Sequence, residues 1–347
     1  MSLSLTFAYP GALSLNTGGY AYDRRLIAGL EALGWRVDLL SLGDGFPLPS
    51  ASVLQEAEAR LSALPDGALL LVDGLAFGVL DAWAEREAHR LRIAALVHHP
   101  LALETGLSQE RQAGFMAAER RALACASQVF VTSPMTGREL VSHYQVDAEA
   151  LTVALPGTID CGLSPRLGDP PMILSLATLT RRKGHDVLIS ALKQVEDLPW
   201  SAMIVGNRTL DPATAREIDT LVASLGLTGR IDLPGEVEDG RAMMMKADIF
   251  ALASRYEGYG MVFAEALSHG LPILACAAGA VPDVVPEDAG FLIAVDDVDA
   301  FARSLRRLLT EPETMRAKAE GSARAGALLP SWDETARIFS QRLQEFS

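Results

Sequence analysis

Short apolar runs alternate with longer amphipathic stretches along most of the chain. The first runs are LSLTFAY, RVDLLSL, ALLLVDG and RIAALVHH, and the stretches after them space their apolar residues as a helix does. Runs that are apolar on both faces and joined by helices predict a parallel sheet covered on both sides. We therefore expect a doubly wound α/β domain in the first half.

The same alternation begins again after LTVALPGTIDCGLSPRLGDPP, a stretch rich in proline, glycine and polar residues that is typical of a domain boundary. The chain has 347 residues, which exceeds the usual size of one domain. We predict an α/β fold of two Rossmann-like domains whose parallel sheets face a central cleft. The first spans 1–160 and is joined by a C-terminal helix at 331–347, and the second spans 171–330.

Composition narrows the classes of partner. The net charge of −14 and the pI near 4.9 disfavour a nucleic-acid partner, because phosphate backbones are bound by clustered Lys and Arg. No stretch has 18 uninterrupted apolar residues, and the amino terminus lacks a positively charged leader pattern. We expect a cytoplasmic protein with no integral membrane segment.

The segment RYEGYG lies between a predicted strand, ADIFALAS, and a predicted helix, MVFAEALSHG. It is thus a loop at the carboxyl edge of a sheet, where open α/β sheets bind ligands. Gly258 and Gly260 allow close approach of the backbone, and the helix start at Met261 offers unpaired N–H groups to an anion such as a diphosphate. Glu257 and Glu265 would place carboxylates on either side of that anion, where they can accept hydrogen bonds from hydroxyl groups of the ligand.

This E-x7-E element, followed by GLPILACAAGAVPDVV, resembles the retaining glycosyltransferases of family 4, which have the GT-B fold. The resemblance implies that Glu257 contacts the sugar of a nucleotide-sugar donor and that Glu265 contacts the ribose. It also implies an amide cradle for the sugar and phosphates, formed by Gly258, Tyr259, Gly260 and Met261.

The segment TRRKGHDVLISAL is similar to the start of the second domain in that family, where two cations bind the diphosphate. Lys183 matches the lysine that precedes a glycine. The family arginine five residues earlier is replaced here by Thr178, so the second cation is assigned to Arg182. Without the resemblance, the run of Arg181, Arg182 and Lys183 is equally typical of a solvated loop.

Two segments of the first half resemble ligand-facing loops of the same family. SLNTGGYAYDRR places Gly18 and Gly19 after the first strand, where backbone would approach the phosphates or the acceptor. RIAALVHHPLALETG ends a strand in His98 and His99; the resemblance implies that His98 contacts the donor sugar and leaves His99 and Glu104 as acceptor-side candidates. The nicotinamide pattern G-x-G-x-x-G is absent.

Two further patterns affect the chemistry. Asp297 and Asp299 have D-x-D spacing but precede an amphipathic pattern, so we predict helix capping and no metal site. GAVPDVV, with Gly279 and Asp283, resembles the family's Gly-x-x-Pro-Glu element with Asp in place of Glu, which implies a role in loop shape.

Together these features predict a retaining, metal-independent glycosyltransferase with no cofactor other than its donor substrate. It would move a hexose-type sugar from a UDP- or GDP-linked donor to a hydroxyl of a small-molecule, lipid or glycan acceptor. The predicted catalytic residues are Glu257, His98, Lys183 and Arg182. Two alternatives remain open: an epimerase or phosphorylase with the GT-B fold, and a nucleotide-sugar-binding subunit without catalysis.

Overall fold

The computed structural model describes residues 3–159, 161–237 and 239–345. These residues form two compact α/β units. The first unit comprises the described part of Met1–Gly157 and Pro330–Ser347, and the second unit comprises that of Thr158–Leu329. The predicted limits at 1, 160 and 347 lie outside the described residues.

Twelve strands lie within the described residues, six in each unit. The strands of the first unit are β1 Ser4–Tyr9, β2 Arg36–Ser41, β3 Leu69–Asp73, β4 Arg92–Val97, β5 Gln128–Val131 and β6 Leu151–Val153. Those of the second unit are β7 Met172–Leu176, β8 Ser201–Val205, β9 Ile231–Gly235, β10 Ile249–Leu252, β11 Ile273–Cys276 and β12 Gly290–Ile293.

Fourteen α-helices lie within the same described residues, and α14 belongs to the first unit. They are α1 Gly18–Ala32, α2 Ala51–Ser62, α3 Gly74–Phe77, α4 Asp81–Glu87, α5 Gln109–Ala124, α6 Pro134–Tyr144, α7 His185–Gln194, α8 Pro212–Ser224, α9 Gly240–Met244, α10 Met261–Ser268, α11 Val281–Val284, α12 Val298–Thr310, α13 Pro312–Gly326 and α14 Trp332–Glu345. Among the described helices, none has both the length and the apolar character needed to cross a bilayer.

The sheet of the first unit has the order β2-β1-β3-β4-β5-β6, and every pair is parallel. Its central strands are buried on both faces, as β3 shows by having no exposed residue. The chain runs from β1 to β2 on one side and then returns to β3 on the other. The loops that follow β1 and β3 therefore diverge, which leaves a crevice at the carboxyl edge of this sheet.

The sheet of the second unit is also entirely parallel, with the order β12-β11-β10-β7-β8-β9. Here the chain direction switches between β7 and β10, which are hydrogen-bonded neighbours. The doubly wound, Rossmann-like architecture predicted for both halves is confirmed.

Several helix starts are capped by short polar side chains. Ser133 accepts a hydrogen bond from the backbone N–H of Thr136 and is followed by a proline in the first turn of α6. Asp297 does the same for Ala300 at the start of α12, with 2.8 Å between Oδ1 and N. The capping role predicted for Asp297 is confirmed, because its carboxylate is occupied by the helix start.

Helix α14 packs against the rest of the first unit. Gly29 of α1 lies so close to α14 that an added Cβ would be 2.6 Å from the Cβ of Ala336. Phe339 stacks on Phe130 of β5 with the ring centroids 3.9 Å apart. A glycine at this crossing thus lets two helix backbones approach each other while the aromatic rings fill the core.

Candidate functional site

The site predicted in the second half forms where β7 and β10 end. Lys183 follows β7, and Glu257 follows β10, so the two loops leave the sheet at its switch point. Ligands of open α/β sheets bind in this kind of crevice.

Glu257 is a buried carboxylate surrounded by hydrogen-bond donors. It is 5% exposed. Its Oε1 accepts hydrogen bonds from Lys183 Nζ and from Ser254 Oγ, both at 2.6 Å, and its Oε2 lies 3.5 Å from a guanidinium nitrogen of Arg182. Burial alone would raise the pKa of Glu257, but the charges of Lys183 and Arg182 outweigh burial and hold the pKa below its usual value.

The three basic residues of the run do not share one environment. Arg182 donates to the carbonyl of Tyr256 at 3.1 Å and faces Glu257, as Lys183 does. Arg181 instead pairs with Glu217 on the surface, and its side chain is 75% exposed. The structure therefore brings Arg182 and Lys183 to Glu257, whereas Arg181 is a solvated surface residue.

The loop after Glu257 ends at the start of α10. Gly260 has φ +87°, in the left-handed region, and an added Cβ there would be 2.6 Å from the ring of Phe263. The glycine therefore satisfies both the turn and the packing of the first helical turn. Tyr259, which precedes it, is buried, and this burial raises its pKa to about 12. Gly258, Met261 and Glu265 are partly exposed around the same helix start.

Gly279, predicted to affect loop shape, supports the backbone of Glu257. It has φ +57°, and an added Cβ would lie 2.2 Å from the carbonyl oxygen of Glu257. The same carbonyl accepts a hydrogen bond from Ala280 at 2.9 Å. The loop after β11 thus holds the acid-bearing loop in place.

In the first unit, His98 follows β4 and contacts the glycine loop at the start of α1. An added Cβ on Gly19 would be 3.4 Å from the imidazole Cδ2, whereas one on Gly18 would meet no atom within 4 Å. Nε2 of His98 lies 3.1 Å from Oδ1 of Asp23 and 3.8 Å from Oδ2 of Asp73. Gly19 therefore lies against the His98 ring, which two carboxyl groups flank.

His99 and Glu104 face each other, with Nε2 and Oε2 3.4 Å apart and both side chains partly exposed. Of the two histidines, His98 is the one held by buried groups. The two neighbouring histidines therefore have different surroundings.

Three residues of these clusters were missed by sequence reasoning: Ser254, Asp23 and Asp73. A signal existed for each acid. Asp73 ends the apolar strand β3, and Asp23 lies on the buried stripe of α1 with Leu26 and Leu30. An acid in either position needs a partner, and the partner here is His98.

Asp23, Asp73 and His98 are also the group, within the described part of the chain, whose candidate metal-ligand atoms lie within 4.8 Å of one another. Two of these atoms already share the hydrogen bond between His98 and Asp23. The absence of a metal stays a prediction.

Residues 164–325, almost all of the second unit, match the family described as glycosyl transferases group 1. Over 278 residues the chain is 30% identical to the D-inositol 3-phosphate glycosyltransferase of Xylanimonas cellulosilytica, covering 74% of this chain and 65% of the relative. It is 26% identical to the MMP alpha-(1->4)-mannosyltransferase of Mycolicibacterium hassiacum, covering 70% and 63%. The chain thus spans less than two thirds of the length of these relatives.

Solved structures extend the likeness to the whole chain. The sucrose-phosphate synthase of Thermosynechococcus elongatus superimposes with a TM-score of 0.82 at 21% identity, covering 98% of each chain. HepE of Anabaena, solved in complex with UDP and glucose, gives 0.76 at 18% identity, covering 97% of this chain and 99% of that one. At these identities the likeness is one of fold, and the predicted GT-B class is confirmed.

Proposed function

We propose that the chain is a retaining, metal-independent hexosyltransferase of glycosyltransferase family 4, which its similarity to glycosyl transferases group 1 and to inositol-phosphate glycosyltransferases supports. Its donor is a nucleoside diphosphate sugar, UDP- or GDP-linked, and its acceptor is a hydroxyl of a small molecule, a lipid or a glycan. The UDP complex of HepE, which shares the fold, supports the proposed class of donor.

The observation that carries the proposal is the largely buried ion pair of Lys183 and Glu257 at the switch point of the second sheet. Two cations beside a helix start form a fixed positive field, which stabilises the charge that develops on a leaving diphosphate. We assign this work to Lys183, Arg182 and the first amides of α10. Glu257 then accepts hydrogen bonds from the sugar hydroxyls.

We assign the remaining residues from the same family resemblance. Glu265, one turn inside α10, binds the ribose, and the amides of Gly258, Tyr259, Gly260 and Met261 bind the sugar and the phosphates. In the first unit, Gly18 and Gly19 form the acceptor-side loop, and His98 contacts the donor sugar. The second unit accordingly binds the donor, and the first unit binds the acceptor. The cytoplasmic location and the absence of a nucleic-acid partner stay predictions.

A thermal-shift series tests donor binding directly. A ligand that binds only the folded protein raises its melting temperature, so UDP, GDP and ADP are compared on the wild type, Lys183→Ala and Arg181→Ala. We expect stabilisation of the wild type and of Arg181→Ala by one nucleoside diphosphate and a clear loss of it in Lys183→Ala. The matched control removes the same charge two residues away, on the exposed surface. Equal stabilisation of all three proteins would remove Lys183 from the site.

A product analysis tests the chemistry. The donor that contains the stabilising base is incubated with a panel of acceptors, and the anomeric configuration of the product is read by NMR. A retaining transferase gives the donor's configuration, and Glu257→Gln should abolish most of the product while keeping the fold. An isomerised sugar nucleotide formed without acceptor would indicate an epimerase, and transfer to or from inorganic phosphate would indicate a phosphorylase. Binding without turnover across a broad panel would favour the non-catalytic subunit.

A further inference from the structure

The His98 ring is held in one orientation by contacts on several sides. Nε2 lies 3.1 Å from Oδ1 of Asp23, and the ring of Tyr22 meets the imidazole edge-on with 5.3 Å between centroids. Gly19 lies against the ring, where an added Cβ would be 3.4 Å from Cδ2. Nε2 therefore points into the buried acids, and the side chain as a whole keeps 21% exposure.

The acids behind this ring are buried. Asp23 is fully buried on α1, and its second oxygen, Oδ2, has no hydrogen-bond partner among the described residues. Asp73 is 3% exposed; its Oδ1 accepts a hydrogen bond from the N–H of Leu75 at 2.7 Å, and its Oδ2 lies 3.8 Å from the imidazole Nε2. A carboxyl oxygen of each acid lies within 4.8 Å of the other and of the imidazole nitrogen, and two buried carboxyl groups at such a distance need a proton or a cation beside them.

The pKa shifts of Asp73 and His98 both favour a proton within this cluster. Burial and the neighbouring charge of Asp23 raise the pKa of Asp73 to about 7. Burial acts to lower the pKa of His98, but its hydrogen bond to Asp23 and the charges of both acids outweigh burial and raise it.

Two tyrosines also face this cluster, and neither changes its charge near pH 7. Burial and the three acids Asp73, Asp23 and Asp44 raise the pKa of Tyr20 to about 12, and burial raises the pKa of Tyr22 well above its usual value. Both phenols are therefore neutral near pH 7. They are also anchored, since Tyr20 donates to the carbonyl of Pro10 and Tyr22 to that of Ala154.

We propose that Asp23 and Asp73 are positioning residues that keep the proton of His98 on Nε2, so that Nδ1 is the ring nitrogen that accepts a hydrogen bond from a substrate hydroxyl. This assignment rests on the function proposed above. Nε2–H donates to Asp23. Asp73, at the end of the neighbouring strand β3, adds a second carboxyl group near Nε2. A neutral imidazole protonated on Nε2 has its lone pair on Nδ1, which suits a hydroxyl of the sugar or the acceptor.

The direct test is NMR of the full chain with 15N-labelled histidine, in which the His98 signals are assigned by their loss in His98→Gln. The wild type should show His98 protonated on Nε2 whenever the ring is neutral. Asp23→Asn should lower the His98 pKa, since it removes the negative charge that stabilises the imidazolium. Asp44→Asn is the matched control: it removes the same charge from an exposed position after β2 and should leave His98 titrating as in the wild type.

An activity profile separates positioning from a purely structural role. The kcat of the wild type should rise with pH as His98 loses its proton, and in Asp23→Asn this rise should move to lower pH, with kcat at its plateau reduced about tenfold or more by a loosely held ring. Asp73→Asn should shift the profile in the same direction, and it provides a second variant should Asp23→Asn fold poorly.

The proposal is overturned by a wild-type His98 protonated on Nδ1, or by an Asp23→Asn variant whose His98 titrates as in the wild type. Both readouts are made without substrate, so they stand even if the chain proves to have no transferase activity. In that event the proposed function fails, and the tautomer of His98 still decides this inference.

Discussion

Lys183 and Glu257 are 74 residues apart in the chain, yet Nζ and Oε1 lie 2.6 Å from each other on loops that leave neighbouring strands. Both side chains are largely buried, with 13% and 6% exposure. An incoming diphosphate would compete with Glu257 for Lys183, and the carboxylate would then be available for sugar hydroxyls. Under the proposed function, the pair would link donor binding to the hydrogen bonding of Glu257.

Removing Lys183 should destabilise the protein in a pH-dependent way. The folded-state pKa of Glu257 is depressed, so its contribution to stability is present above its unfolded pKa near 4.5 and is lost as the pH falls through the folded pKa. In Lys183→Met the buried carboxylate retains Arg182 and Ser254 but loses the lysine charge. We expect the free energy of unfolding to fall by about 1–3 kcal/mol at pH 7, and this loss should shrink towards pH 4, where the carboxylate can take up a proton. Urea denaturation at both pH values measures this difference.

Arg181→Met is the control for that experiment, because Arg181 is exposed and pairs with Glu217 at the surface. Its stability should change by less than about 0.5 kcal/mol at either pH. A loss in Lys183→Met of the same size at pH 4 and pH 7 would show that the ionisation of Glu257 is not involved.

Gly279→Ala should impair turnover through Glu257. The new Cβ would lie 2.2 Å from the Glu257 carbonyl oxygen, so the acid-bearing loop must move. A displacement of this kind is expected to reduce kcat by about tenfold or more. Gly226→Ala is the matched control, since Gly226 also has a positive φ, +71°, but its added Cβ meets nothing within 4 Å. Steady-state kinetics of the two variants decide the question, and equal kcat values would refute the supporting role of Gly279.

Glu119→Gln should remove one contribution to the decrease of stability with rising pH. Glu119 on α5 is 1% exposed, and burial raises its pKa from 4.5 to about 8. Between these values the folded state keeps a proton that the unfolded state has lost, so the free energy of unfolding falls as the pH rises, by at most about 1.4 kcal/mol per pH unit. Glutamine keeps the acceptor for the N–H of Leu101, which Glu119 Oε2 binds at 3.0 Å, and has no proton to lose.

The measurement is the stability of both proteins by urea denaturation at pH 6 and pH 9. The advantage of Glu119→Gln over the wild type should grow between these values. Glu110→Gln, at an exposed position of the same helix, should show no such growth. A constant difference between Glu119→Gln and the wild type would mean that Glu119 is already ionised in the folded protein.

The sequence was sufficient for the central strands and insufficient for two of the four edge strands that the structure describes. Strands such as β3 and β10 are buried on both faces and form continuous apolar runs, which predict them directly. The edge strands β6 and β12 were missed. They have three and four residues, and most of these residues are only partly buried, so they lack the apolar run of a central strand.

The candidate site divides in the same way. Glu257 and Lys183 were predicted because glycines, a helix start and a family resemblance surround them in the sequence. Ser254 contacts Glu257 from the same loop, whereas Asp23 and Asp73 contact His98 from other elements. The position of each acid in an apolar pattern signals that it has a partner but does not identify that partner. Contacts between residues 75 positions apart, such as His98 and Asp23, depend on how α1 packs against the sheet, and no local pattern contains that information.

Helix α14 should be required for the stability of the first unit. Phe339 is fully buried against Phe130, and the Oγ1 of Thr335 donates to the carbonyl of Leu155 at 2.7 Å. Removal of a buried phenyl ring leaves a cavity, so Phe339→Ala should lower the free energy of unfolding by about 3–5 kcal/mol. Ile338→Ala, its neighbour with 36% exposure, should cost less than about 1 kcal/mol. Urea denaturation followed by circular dichroism compares the two, and similar losses would show that α14 contributes no core to this unit.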